Sequence, residues 1–133
     1  MSDCIFCKIV KGEVSSYRIY ENDKVLAFLD KNPTSPGHLL VIPKDHYENL
    51  EEISENFLAE VVKVVKIMGQ KVKEKLNYPA YNVIQNNGKE AGQIIDHLHF
   101  HVLPRKSDDG LTFPSGQEVK EEDLQEIQNK LIR

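Results

Sequence analysis

The chain predicts an α+β domain: an antiparallel sheet of about five short strands, with one long helix and one short C-terminal helix on one side. Three observations predict it. Short runs rich in β-branched and aromatic residues recur, each closed by Gly, Pro, Asn or Asp. A single stretch, Ser54 to Leu76, carries its apolar residues at helical spacing. Residues 97–101 alternate strictly, with a histidine at every second place from His97 to His101. That is strand periodicity, and it turns three imidazoles to one face and Leu98, Phe100 and Val102 to the other.

In chain order, Tyr17–Glu21 and Val25–Leu29 read as a hairpin closed by Asn22-Asp23-Lys24. Residues 31–37 form a loop, because Pro33 and Pro36 cannot donate to a ladder. His38–Ile42 is a third strand, ended by Pro43. Ser54 caps the long helix, with Ile53 and Leu58 at hydrophobic-staple positions. Leu58, Val61, Val62, Val65, Met68, Val72 and Leu76 make its apolar stripe, and Gly69 marks close packing. Lys63, Lys66, Lys71, Lys73 and Lys75 make a solvated face. Ala80–Gln85 is a fourth strand, residues 86–93 a polar loop, and residues 97–103 the histidine strand. Residues 105–120 are irregular, and Glu121–Ile132 is the short helix, with Leu124, Ile127 and Leu131 at helical spacing.

At 133 residues the expectation is a single domain spanning 1–133, its core about 4–105 and a C-terminal loop and helix over 106–133. A net charge of −4 argues against a nucleic-acid duplex or an anionic membrane as the main partner. Met1–Lys8 lacks a basic n-region and an apolar h-region, and no stretch approaches a membrane span. Two cysteines make no disulfide framework, so a cytoplasmic location is expected.

The chemistry rests on the histidines. Imidazoles at alternate strand positions suit a three-His metal site equally well as phosphate chemistry, where neutral imidazole is a nucleophile near pH 7. The loop Asn86–Gln93, with Gly88 and Gly92, offers backbone N–H groups to an anion and tips the balance toward phosphate. Cys4-x-x-Cys7 is either a pair of buried thiols or half of a zinc site completed by His46 and one strand histidine; zinc is favoured. Asp30 is either a turn former or an acceptor for sugar hydroxyls. His38 points either to the same pocket or to a structural hydrogen bond.

These residues together resemble the histidine-triad (HIT) family, in its Hint-like branch with zinc-bearing bacterial and archaeal members. The resemblance rests on His97–Leu103 with Gly92-Gln93 before it, on Gly37–His46, on Cys4–Ile9 and on Val25–Asp30, in order from residue 4 to about 105. It implies a HIT-like fold, a homodimer and a purine nucleotide as substrate. The implied activity is a hydrolase or transferase acting at the α-phosphorus of nucleoside phosphoramidates or related adenylated compounds. His99 would be the nucleophile, His101 would hydrogen-bond the phosphoryl oxygens, and the carbonyl of His97 would hold the Nδ1–H of His99. Asn86, Gly92 and Gln93 would line the phosphate side. Asp30 would take the ribose hydroxyls, with His38 beside it, and Ile5, Phe6, Val14 and Phe28 would sandwich the base. Cys4, Cys7, His46 and His97 would hold a structural zinc. Ile94 stands where many hydrolytic members carry Ser or Thr, and the chain has no Trp to reach a leaving group. Two other readings follow: a nucleotide-binding or scaffold protein with vestigial catalysis, favoured by Ile94, and a hydrolase using zinc-bound water.

Overall fold

A computed structural model describes residues 3–132. In order it contains α1 (Ile5–Val10), β1 (Arg18–Glu21), β2 (Val25–Leu29), β3 (Leu39–Pro43), α2 (Glu55–Leu76), β4 (Ala80–Gln85), β5 (Phe100–Arg105) and α3 (Glu121–Leu131). The five strands form one antiparallel sheet in the order β1-β2-β3-β5-β4. No helix among the described residues is long and apolar enough to cross a membrane.

The α+β architecture is as expected, but the sheet is covered on both faces. On one face α2 packs through Val61, Val64, Val65, Met68 and Val72 against Val25, Ala27, Leu39, Val41, Leu98 and Val102. On the other, Phe6 and Ile9 of α1 meet Leu26, Phe28, Leu40 and Ile42. Four consecutive residues of β2, Val25 to Phe28, are therefore buried. Such an unbroken apolar run is the mark of a strand covered on both sides, whereas one-sided burial leaves a polar residue at every second place.

α1 was not expected from the sequence. It is six residues long and three of them are β-branched, so intrinsic propensity offers little signal. Tertiary packing carries it, with Cys4 as its cap: Cys4 Sγ accepts from the Cys7 N–H at 3.4 Å.

α2 starts where Ser54 predicts, its hydroxyl accepting from the Phe57 N–H at 3.2 Å. Its stripe needs one correction: Val62 and Leu76 are half exposed, and Val64 turns inward instead. Positions 61, 64, 65, 68 and 72 keep one face of a 3.6-residue helix, which 62 leaves. At Gly69 any Cβ would collide with the Tyr81 ring, so this glycine lets α2 close on β4. The C-terminal helix forms, but it does not cover the sheet. None of its residues is buried, and Leu124, Ile127 and Leu131 are exposed.

The histidine strand also starts later than the alternation predicts. β5 begins at Phe100, so His97 and His99 lie in the run that enters it. The Leu98 N–H donates to the Tyr47 carbonyl at 2.7 Å and anchors that run to the segment after β3.

Candidate active site and metal centre

His101 pairs with Leu40 in the sheet register, and Leu40 faces α1. The histidines therefore gather on the α1 face, opposite α2, while Leu98 and Val102 enter the α2 core. The His99 and His101 rings lie 4.9 Å apart by centroid, and Phe6 meets His99 edge to face with centroids 5.1 Å apart.

His97 is fully buried, and its two nitrogens have different partners. Nε2 lies 2.9 Å from the Pro43 carbonyl. A carbonyl can only accept, so Nε2 carries the proton and Nδ1 keeps its lone pair. That Nδ1 lies 3.3 Å from Cys4 Sγ and 3.6 Å from Cys7 Sγ, and His46 Nδ1 lies 3.4 Å from Cys7 Sγ. Ligand atoms of Cys4, Cys7, His46 and His97 all fall within 4.8 Å of one another. Two thiols and two imidazole lone pairs converging on a point are the donor set of a tetrahedral structural zinc, and the Pro43 carbonyl is the outer partner that fixes the His97 tautomer. Burial, with the neighbouring Cys4, pushes the Cys7 thiol up to about 11. Burial likewise lowers His97 to about 4, which keeps the ring neutral as a ligand must be.

His99 is oriented by the same residue from its other end. Its Nδ1 lies 2.7 Å from the His97 carbonyl, so Nδ1 holds the proton and Nε2 is the bare nitrogen. Burial lowers the pKa of His99 below the ordinary histidine value, against the opposing pull of that hydrogen bond and of Asp30. Behind His101, the His38 Nε2 lies 2.9 Å from His101 Nδ1, and His38 Nδ1 lies 3.1 Å from the Thr34 nitrogen. Asp30, His38 and His101 also bring ligand-type atoms within 4.8 Å, but these hydrogen bonds occupy both nitrogens of His38 and one of His101.

A cavity of about 480 Å³ opens in front of His99 and His101. Of the residues expected to bind substrate, Ile5, Phe6, Val14, Phe28 and Asp30 line it. Phe6 and Phe28 meet edge to face, their centroids 5.6 Å apart. Asp30 Oδ1 accepts from the Asn32 N–H at 2.9 Å, which holds the carboxylate at the cavity wall.

His38, Asn86, Gly92 and Gln93 do not line it. His38 is buried behind His101. Gln93 is a strut: Oε1 accepts from the Gly88 N–H at 2.8 Å, and Nε2 donates to the carbonyls of Glu48 and Ile95 at 2.7 and 3.0 Å. Gly92 closes the single turn at Lys89–Ala91 with a positive φ of 93°, where glycine is favoured. The loop thus shapes the approach to the histidines, and the wall beside them is made by Ile94 and Ile95. Ser16, Asn32 and Leu40 also line the cavity without having been expected. Leu40 could have been found from its register with His101; nothing local marks Ser16, whose buried hydroxyl has no partner among the described residues.

The HIT domain profile matches residues 11–108, and the chain belongs to the histidine-triad family. It is 44% identical over 115 residues to an adenosine 5′-monophosphoramidase of Schizosaccharomyces pombe, the match covering 84% of each chain. Among solved structures it is similar to a HIT family member from Bacillus subtilis, with a TM-score of 0.90 and 36% identity, covering 98% of this chain and 95% of that one. It is also similar to a zinc-bound histidine triad family protein from Mycobacterium smegmatis, with a TM-score of 0.80 and 36% identity, covering 88% and 85%.

Proposed function

We propose that the protein is a nucleotide hydrolase or transferase that attacks the α-phosphorus of nucleoside phosphoramidates or related adenylated compounds through a nucleotidyl-histidine intermediate on His99. The observation that carries this reading is the 2.7 Å hydrogen bond from His99 Nδ1 to the His97 carbonyl, which leaves Nε2 bare at the cavity wall. The yeast relative's name, a monophosphoramidase, supports the substrate class.

Nε2 attacks phosphorus in line and the bond to the leaving nitrogen or oxygen breaks, its electron pair leaving with that group. Water then attacks the nucleotidyl-histidine, frees His99 and releases the nucleoside monophosphate. His101 hydrogen-bonds the phosphoryl oxygens as negative charge shifts onto them. Asp30 takes the ribose hydroxyls, and Ile5, Phe6, Val14 and Phe28 hold a purine base. Asn86, Gly92 and Gln93 act on the substrate through the shape of their loop.

Cys4, Cys7, His46 and His97 hold a zinc ion, whose work is structural: it fixes His97, and His97 orients His99. The homodimer forms at β4, an edge strand with Val83 half exposed. Two free thiols suit a reducing cytoplasm.

The second reading, nucleotide binding with weak catalysis, is favoured by one observation. Ile94 is 89% exposed at the cavity wall and offers no donor to a phosphate or leaving group. Release of AMP from adenosine 5′-phosphoramidate separates the two. Turnover by the wild type that disappears in His99→Ala supports the enzyme; AMP binding without turnover, unimproved by Ile94→Ser, supports the binding protein.

A further inference from the structure

α1 walls the cavity with Ile5, Phe6 and Ile9, and the turn that follows it adds Val14. A six-residue helix does not hold itself together in water, so what grips its two ends decides where that wall lies. Its start carries Cys4 and Cys7 of the metal cluster, and Phe6 meets both Phe28 and His99 edge to face. Its last turn has none of these. There the Lys8 and Ile9 carbonyls accept from the Glu13 and Gly12 N–H groups at 2.9 and 3.0 Å, and Gly12, with a φ of 80°, turns the chain back toward Val14. Arg18 of β1 reaches this turn from outside: its Nη2 donates to the Ile9 carbonyl and lies 3.5 Å from the Val10 carbonyl. Its Nη1 donates to Glu21 Oε1 at 2.8 Å, and Lys44 Nζ donates to Glu21 Oε2 at 2.6 Å, so the guanidinium is held from β1 and from the residue after β3. We propose that Arg18 is a positioning residue for the nucleotide cavity: it braces the C-terminal end of α1 and so sets the gap that receives the base.

Apolar burial holds Ile9 on the sheet, but it is not directional and permits small shifts along the helix axis. A guanidinium bonded to a carbonyl is directional, and it sits at the end of the helix where positive charge is favoured. The ion pairs behind it are partly exposed and contribute little to overall stability. Arg18 therefore fixes geometry more than it holds the fold. It does not line the cavity, and no step of the chemistry passes through it. Its effect falls on the base, which α1 grips, and not on the phosphate, which meets His99 and His101. The brace stands on the free protein's geometry, whereas its use in holding a base rests on the function proposed above.

The test compares the full zinc-loaded wild type with Arg18→Met, which keeps an extended side chain and removes its donors. Amide hydrogen exchange reads the brace with no ligand present. The Gly12 and Glu13 N–H groups should exchange faster in the variant, while those of α2 and β3 stay as they are. Equal exchange at Gly12 and Glu13 in the two proteins overturns the proposal. AMP and ribose 5-phosphate, which lacks the base, are then titrated into both. In Arg18→Met the Kd for AMP should rise about tenfold, the scale of one charge-assisted hydrogen bond, and the Kd for ribose 5-phosphate should not move. The KM for adenosine 5′-phosphoramidate should rise with the Kd for AMP, and kcat should hold. Arg18→Lys keeps a donor and should recover most of the lost AMP affinity. An equal loss for both ligands, or no loss for either, overturns the proposal. If the wild type binds AMP no better than ribose 5-phosphate, the base pocket of the proposed function fails, and hydrogen exchange alone decides the brace.

Discussion

Three histidines in five residues do three jobs, and the atom each nitrogen meets decides which. His97 donates a hydrogen bond from Nε2 to the Pro43 carbonyl and turns Nδ1 to the thiols. His99 donates from Nδ1 to the His97 carbonyl and keeps Nε2 bare. His101 receives a hydrogen bond from His38 at Nδ1. The fold also holds these rings neutral, which has a measurable consequence. Burial lowers His101 to about 4, while in the unfolded chain it returns to its ordinary value near 6.5. Between those values the unfolded state binds the extra proton, so stability is full above about 6.5 and is lost as pH falls toward about 4. Urea unfolding at pH 7, 6, 5 and 4.5 should show that loss, and His101→Gln should show a shallower one. Equal slopes in the two proteins would contradict the assignment. The spacing of the motif told which residues matter and that they share a face. It could not tell which nitrogen holds the proton, because Pro43, Thr34 and His38 are brought in from distant parts of the chain.

Elements were legible where local signals agree with packing, and lost where packing acts alone. The Ser54 cap and the apolar stripe place α2, and the glycine in its middle marks a contact that the structure shows against Tyr81. Gly69→Ala gains helix propensity of about 1 kcal/mol, but it drives a methyl into that ring. Overpacking costs about 1–3 kcal/mol, so the net expectation is a lower Tm, partly restored by Tyr81→Leu in the same chain. A Tm equal to or above wild type would show that the ring moves aside without cost. α1, by contrast, was missed although Val25–Phe28 held the clue to it. Four apolar residues in succession require cover on both faces of β2, and α1 supplies the second cover. The composition of the Asn/Gly loop suits a phosphate cradle. Two of its amide side chains, those of Asn87 and Gln93, are tied into hydrogen bonds within the fold.

For the whole molecule, the Cys4–Cys7–His46–His97 cluster joins the start of α1, the segment after β3 and the entry to β5. A zinc ion there would tie α1, which walls the cavity, to the run entering β5, which carries His99. Zinc at a thousand times its Kd would stabilise the fold by about 4 kcal/mol. Chelation, or Cys4→Ser, should therefore lower Tm and zinc content together, while added zinc rescues the chelated wild type only. Undiminished zinc in Cys4→Ser would place the metal elsewhere. Whole-molecule organisation was the least legible level for α3, where helical spacing in the sequence predicted a packed element and the structure leaves its apolar side exposed.

Covalent nucleotidylation of His99, as proposed, is tested most directly by catching the adduct. The wild-type protein, mixed with excess adenosine 5′-phosphoramidate, is quenched in alkali within the first turnovers and digested for mass spectrometry. An adenylyl adduct is expected on the peptide containing His99, lost in acid and absent from His99→Ala. AMP released by the wild type and by His99→Ala at equal rates, with no adduct in either, would contradict it.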